Sequence, residues 1–514
     1  MNPGTRPRHM RWWFLAAVVL GTVDRLLLLL RFGYRYVGSD DAIFWQAVRD
    51  YASGTFHEPY FYGQDYTFMT EAVVTVPLYW LGVPLYVALP TMTALLALLP
   101  FWSFGAWLLR TGKPLAGVLV AMLPVLLPVE YGIITSMPRG FVGGCAMLAA
   151  WPWCSQVERP WSRGLLAGLV LGMALFLNPN ALVFAAPAAL LFAWQHRNEW
   201  KVPLFALLGA LPAAVALKLA KYFYVVHPER VRHTIDDWML AFHPEGITEA
   251  LGQLDKHFAG LMPVLWSQGW LALLLLVLVA VALFLRRAWM PATTLLLAVG
   301  IVLWSFGFAK VHDGSAHPFF PLSRMFLAVP LVLAWWGGML QVPSSIKGTM
   351  RSGPTLVLAV GVSCFAVKTY RMRSVIDHTI ARQHDVPVQA RSIDELRADC
   401  AVIGDMAERI NASLVVFHRR PNDQQSFLRC YICEILEASL PPTVGAEFDR
   451  RDWRSVLLER TTDRPVLVVG GFPEQWVNLQ GEGTNASHTE ESVVLHLLPA
   501  GPGAIRERLA LEGH

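Results

Sequence analysis

The sequence predicts a polytopic α-helical membrane protein with a small α/β domain at its C-terminal end. Three observations predict it. Of 514 residues, 54% are hydrophobic and only 16% charged, whereas soluble chains carry about 25% charged residues. Long apolar runs recur, separated by short loops that hold Lys and Arg. Beyond residue 367 the chain turns charged and its apolar runs shorten to strand length. The net charge of +4 is spread among short loops, with no basic block of the kind that grips nucleic acid. Six Cys in this length do not make a disulfide scaffold.

The elements follow in order. Residues 1–11 read as a cytoplasmic tail, with Arg6, Arg8 and Arg11 before the apolar run 12–30. No small-residue cleavage site follows, so that run reads as a retained first span, not a signal peptide. Asp24 and Arg25 interrupt it and are expected to pair with each other or to snorkel near the outer half. A span needs about 20 apolar residues. Further candidates are 84–109, 114–134, 137–154, 164–177, 181–194, 202–219, 261–285, 289–308, 325–340 and 354–367.

Cytoplasmic loops are enriched in Lys and Arg. The clusters Arg110/Lys113, Arg159/Arg163, Arg197/Lys201, Arg286/Arg287 and Lys347/Arg351 are therefore placed inside. The segment 164–194 then becomes a hairpin that turns outside at Asn178-Pro179-Asn180, where Pro breaks a helix. The total is about 11 transmembrane helices, with the N-terminus inside and the tail outside. The outer segments are 31–81, 130–140, 178–180, 221–260 and 310–324.

In the long first outer loop, Ala42, Ile43, Ala47, Val48 and Tyr51 recur at helical spacing. This predicts an amphipathic helix along the membrane surface, with a second over 70–81. In the tail, 368–514, apolar runs at 413–417, 465–469 and 492–497 read as strands. The stretches 393–410 and 427–438 read as helices. Gly470-Gly471 lacks the spacing and following helix of a dinucleotide fingerprint. Cys430 and Cys433 stand three apart on a helix. A structural disulfide involving Cys400, or plain burial, is favoured over a redox pair, and no nearby His pair supports zinc. Cys145, Cys154 and Cys364 lie in apolar runs and read as packing residues.

Candidate chemistry gathers in the outer segments. Ser39-Asp40-Asp41 follows the first span. First-turn acids suit a helix dipole, and Ser39 or Asp40 can cap; the same acids can serve catalysis at the membrane face. Glu58, Asp65 and Glu71 follow, then Glu130 at the end of the third run. Lys310, His312, Asp313, His317 and Arg324 lead into an apolar helix. An Arg at headgroup level either anchors the helix or meets a lipid phosphate through paired charge-assisted bonds. His227, His233 and His243 are too scattered for a metal signature.

Four places carry a resemblance. They are Ser39-Asp40-Asp41-Ala42, Tyr62-Gly63-Gln64-Asp65-Tyr66 running on to Pro77-Leu78, Phe176-Leu177-Asn178-Pro179-Asn180, and Ser323-Arg324-Met325-Phe326-Leu327. In this order and on one side of the membrane they resemble the type C (GT-C) glycosyltransferases, polytopic enzymes that take sugars from polyprenyl-phosphate carriers. Protein O-mannosyltransferases and aminoarabinose transferases are similar. The resemblance covers roughly residues 12–367 as the catalytic domain. Asp65 departs from the usual Pro, and Met325 stands where an aromatic is common.

The resemblance implies an inverting transfer from a polyprenyl-phosphate-linked sugar to a hydroxyl acceptor that is lipid, glycan or protein. One of Asp40 and Asp41 acts as general base. Neighbours on a helix point about 100° apart, and Asp40 is favoured. Arg324, Lys310 and His317 bear on the lipid phosphate, and Tyr62 and Gln64 on substrate. Glu130 is the candidate metal ligand, but some relatives use a divalent metal (Mg, Mn or Zn) and others none, so the cofactor stays open. Richness in Ala, Leu and Arg points to a bacterial inner membrane, with the active site and tail facing the periplasm. The rival readings are a lipid or glycan flippase, which would show repeated halves with paired broken helices, and a non-catalytic subunit of an envelope assembly complex.

Overall fold

The computed structural model describes residues 8–232, 240–312, 322–340, 353–381, 390–418, 424–446, 448–470, 486–488, 493–498 and 504–508. Along the chain, α1 (Arg8–Leu28) is followed by β1 (Tyr36–Gly38), α2 (Ser39–Ala52) and α3 (Thr70–Trp80). Next come α4 (Leu85–Arg110), α5 (Pro114–Leu126), α6 (Val129–Ile134), α7 (Gly143–Met147) and α8 (Trp151–Cys154). α9 (Pro160–Leu177), α10 (Leu182–Gln195) and α11 (Lys201–Val226) follow, then α12 (Pro244–Gly252), α13 (Leu254–Phe258), α14 (Trp270–Leu285) and α15 (Trp289–Ser305). After α16 (Ala309–His312), α17 (Val329–Gly337) and α18 (Gly353–Ala381) comes the tail. It holds β2 (Ala390–Ser392), α19 (Ile393–Arg409), β3 (Leu414–His418), α20 (Gln424–Leu436), β4 (Thr443–Gly445), β5 (Val466–Gly470), β6 (Ala486–His488) and β7 (Val493–Leu498).

These elements form two compact units. The first comprises Met1–Gly33, Leu89–Lys221 and Ile235–Ala381; the second comprises Tyr34–Ala88, Tyr222–Thr234 and Arg382–His514.

The first unit is a helical bundle. Among the described residues five helices are long and apolar enough to cross a membrane: Met10–Gly33, Leu85–Arg110, Pro160–Leu177, Lys201–Val226 and Gly353–Ala381. Five shorter apolar helices accompany them, at Pro114–Leu126, Pro179–Gln195, Trp270–Leu285, Trp289–Ser305 and Leu322–Gly337. Two expected spans differ. The run 137–154 folds as short pieces, because Pro138, Gly140 and the Gly143-Gly144 pair are poor helix formers. The run 114–134 breaks between α5 and α6 at Pro128, which has no N–H to give to the Pro124 carbonyl.

That carbonyl accepts instead from Lys368 Nζ at 3.2 Å, and the same ammonium pairs with Asp24 at 2.7 Å. Arg25 turns the other way, donating to the Gly132 carbonyl at 2.8 Å and to Thr135 at 2.7 Å. Asp24 and Arg25 thus take separate buried partners, which corrects the expectation that they pair with each other or snorkel. The last helix does not stop at residue 367. It buries Lys368 and runs on to Ala381.

Small residues set the closest packing. Gly164, Gly168 and Gly172 on α9 face Val202, Ala206 and Ala210 on α11. A Cβ on Gly168 would lie 1.8 Å from the Ala206 carbonyl oxygen, so the two backbones touch, as small-residue repeats allow in lipid. The paired numbers rise together, so α9 and α11 run parallel, both starting beside basic residues. At that end of the bundle Lys113 Nζ donates to the Gly338 carbonyl, and Gly353 packs on Leu115. The expected outward turn is present: α9 stops at Leu177, and Asn178 caps a 3-10 turn by accepting the Asn180 N–H.

In the second unit β1 pairs antiparallel with β2, Tyr36 opposite Ser392. A five-stranded sheet has the order β4-β3-β5-β7-β6. β3 lies parallel to β4 and β5, and β7 antiparallel to β5 and β6. The parallel strands are fully buried apolar runs, as strands covered on both faces must be. Cys400 on α19 and Cys433 on α20 form a disulfide, while Cys430 is a buried free thiol.

Candidate functional site

The acidic pair opens α2 in the second unit. Asp41 is buried, and its Oδ2 accepts the Gly38 N–H at 2.7 Å, so the helix start is held by Asp41 reaching back to the N-cap backbone rather than by a Ser39 or Asp40 cap. Asp40 is half-buried in the same first turn. The two acids therefore divide: Asp41 is engaged in holding the backbone, and Asp40 stands at the more open position.

The tail supports this helix from two sides. β1, immediately before it, is paired with β2, and the Ile393 N–H donates to the Arg35 carbonyl at 2.8 Å. On α2 itself, Gln46 Nε2 donates to the Tyr431 carbonyl, and Arg49 pairs with Glu434 of α20 at 3.1 Å. Glu434 also receives Arg454 and the Thr443 hydroxyl. Burial alone would raise its carboxyl, but the Arg454 hydrogen bonds and the charges of Arg454 and Arg49 hold it down at about 2.

The loop after α2 is built on aromatic packing. Tyr62 is fully buried, donates to Asp50 Oδ2 at 2.8 Å and meets Trp453 edge-on at 4.8 Å. His57 stacks on Trp453 at 3.7 Å. Gln64 is buried, and its N–H donates to the Phe61 carbonyl at 2.8 Å. Gly63 holds a φ of +77°, where a Cβ would also strike Arg450 at 2.8 Å. Glu58 lies wholly inside. It accepts the Gly63 N–H at 3.2 Å and the Tyr224 hydroxyl at 3.1 Å. Burial pushes its carboxyl up to about 8, against those two hydrogen bonds.

The bases belong to the first unit. Arg324 sits in the turn Leu322–Phe326 that leads toward α17, its guanidinium 5.8 Å from the centre of the Phe141 ring. Lys310 on α16 and the buried Arg139 both act electrostatically on it. Burial, then the Arg324 charge, pushes the Lys310 ammonium below its ordinary range. Polar bonds tie neighbouring loops together here. Asn178 Nδ2 donates to the Gly140 carbonyl at 2.9 Å, and Asn180 Nδ2 meets Met325 Sδ at 3.7 Å. From the expected outer segments 130–140, 178–180 and 310–324, the described residues Arg139, Gly140, Asn178, Asn180, Lys310 and Arg324 thus meet at one end of the bundle. Arg139 was not singled out from the sequence. Its signal is one Arg in an otherwise apolar outer segment, Met137-Pro138-Arg139-Gly140.

Glu130 is exposed on α6. Among the described residues no three His, Cys, Asp or Glu side chains come together as metal ligands. His317 and His233 lie outside the described residues, while His227 is a half-buried histidine beside Glu229.

A helical membrane bundle with polar loops converging at one end, joined to a unit with a mixed α/β sheet, defines a recognisable architecture. It resembles the fold of ArnT. The crystal structure of ArnT from Cupriavidus metallidurans in the apo state superposes with a TM-score of 0.52 at 11% identity, covering 94% of this chain and 98% of that one. The structure of ArnT from the same organism bound to undecaprenyl phosphate gives 0.50 at 12% identity, covering 93% and 97%. At these identities the likeness is one of fold. No family model matches the chain, and no curated protein matches it.

Proposed function

We propose that the protein is an inverting glycosyltransferase that moves a sugar from a polyprenyl-phosphate carrier to a hydroxyl acceptor at the outer face of the membrane. The observation that carries the reading is the gathering of Arg139, Lys310 and Arg324 at one end of a bundle with the ArnT fold. Three cations held together suit a diester or monoester phosphate at a lipid headgroup.

In this reading Asp40 takes the proton from the acceptor hydroxyl. The freed oxygen attacks the anomeric carbon opposite the phosphate, the bond from that carbon to the phosphate oxygen breaks, and polyprenyl phosphate leaves with the bonding pair. Arg139, Lys310 and Arg324 stabilise the growing negative charge, and Asp41 keeps the helix start in place. A positioned base contributes about 10²–10⁴-fold. The acceptor class is a hydroxyl-bearing lipid, glycan or protein. Charge neutralisation is assigned to the three cationic side chains, so turnover is expected to survive chelation of Mg, Mn or Zn.

Two independent features support the sidedness. The disulfide in the second unit suits an oxidising, periplasm-like compartment. In the first unit, Arg139 and Arg324 lie at the end opposite the Lys113 loop, which the positive-inside bias places in the cytoplasm. The test is the yield of glycosylated product from membranes carrying Asp40→Asn, Asp41→Asn or Arg324→Ala, with insertion checked for each. Loss of product with normal insertion supports the reading; full product from both Asp variants would end the acid assignment.

A further inference from the structure

A second site lies at the other end of the bundle. A cavity of about 660 Å³ opens between the first turns of α1 and the turn that joins α4 to α5. Its walls are apolar: Met10, Phe14 and Leu15 from α1 and Leu109 from α4. Among the described residues its charged lining residues are Arg11 and Arg110, both exposed. The Arg110 guanidinium lies 5.4 Å from the centre of the Trp153 ring, which fixes its direction. Lys113, between the lining residues Gly112 and Pro114, donates instead to the Gly338 carbonyl. Trp12, next to Arg11, is exposed, as expected of an aromatic at the membrane–water boundary.

An apolar slot between membrane helices accepts an acyl chain, and two arginines in its lining, with no acid among the described lining residues, suit one phosphate. Basic pockets between membrane helices on the cytoplasmic side are the known form of anionic-headgroup sites. We propose that this cavity binds one anionic glycerophospholipid of the inner leaflet, with its phosphate between Arg11 and Arg110 and an acyl chain against Phe14, Leu15 and Leu109. The charge complementarity commits the site to an anionic lipid over a zwitterionic one, whose headgroup brings its own cation to the same guanidiniums. The site does not depend on the proposed transfer, which uses residues at the opposite end.

The test uses the full chain purified in detergent, stripped of lipid, and titrated with phosphatidylglycerol or phosphatidylcholine under native mass spectrometry. One phosphatidylglycerol per chain is expected to bind at least tenfold more tightly than phosphatidylcholine. Arg11→Gln and Arg110→Gln should each remove roughly tenfold of that preference, the order of one charge-assisted pair. Leu109→Trp, which fills the slot, should weaken both lipids alike. Arg11 is exposed, so its substitution keeps the fold, and an unchanged melting temperature in neutral detergent checks this. Equal binding of the two lipids by the native chain, or an unchanged preference in the double Arg variant, would overturn the proposal.

Discussion

Glu58 should make the second unit lose stability as pH rises. Its carboxyl is wholly buried, and burial moves it from an ordinary 4.5 to about 8 in the folded state. Between those values the unfolded chain is ionised and the folded chain keeps its proton, so folding stability falls with rising pH by about 1.4 kcal/mol per pH unit. The contribution is fully present below 4.5 and fully lost above about 8. The loss is therefore about 3 kcal/mol between pH 6 and 8, and about 5 kcal/mol over the whole interval. Glu58→Gln removes the titration. The amide keeps an acceptor for the Gly63 N–H and offers a donor where the Tyr224 hydroxyl now donates. Hydrogen exchange over residues 57–66, read for native and variant chains at the same pH, isolates the effect from intrinsic exchange rates. The native chain should match the variant at pH 4, open increasingly relative to it from pH 5 to 8, and differ by a constant amount beyond pH 8. Identical protection at every pH, or greater native protection at pH 9, would refute the reasoning.

Three further outcomes follow from the packing. Gly168→Val must drive apart α9 and α11, whose backbones touch at Ala206, so folded yield in membranes should collapse; a control at Gly300, whose added Cβ meets nothing, should not. Cys400→Ser opens a loop with a sequence separation of 33 and should cost about 4 kcal/mol in denaturant unfolding of the tail, whereas Cys430→Ser leaves the bridge intact. Asp24→Leu or Lys368→Met alone strands a buried charge and should cost about 3–5 kcal/mol, while the double substitution should recover most of it, as judged by melting in detergent.

The bundle and the sheet were legible because each rests on local periodicity. Apolar runs bounded by Arg and Lys located most of the membrane helices, the Asn178-Pro179-Asn180 turn needed only Pro chemistry, and the strands at 414–418, 466–470 and 493–498 fall within a residue of their apolar runs. What escaped depends on distance in sequence. The partner of Asp24 is 344 residues away, and no pattern near either residue announces it. The break at Pro128 was readable from Pro124 and Pro128 lying one helical turn apart, but the run around them is apolar enough to hide it. Asp40 and Asp41 were visible as a pair, yet their separate roles emerge only from burial and from the Gly38 bond. Arg139 and Glu58 each sit among apolar or aromatic neighbours, where a charged residue signals burial with a purpose but does not name its partner.

The central claim is that Arg139, Lys310 and Arg324 grip a carrier phosphate. Binding of undecaprenyl phosphate and of phosphate-free undecaprenol to the purified full chain tests it most directly, because it requires no knowledge of sugar or acceptor. The phosphate should bind at least tenfold more tightly than the alcohol. Arg324→Ala should lose most of that difference, and Arg286→Ala, an exposed base at a different loop, should keep it. Equal affinity for phosphate and alcohol, or an unaffected Arg324→Ala variant, would contradict the account.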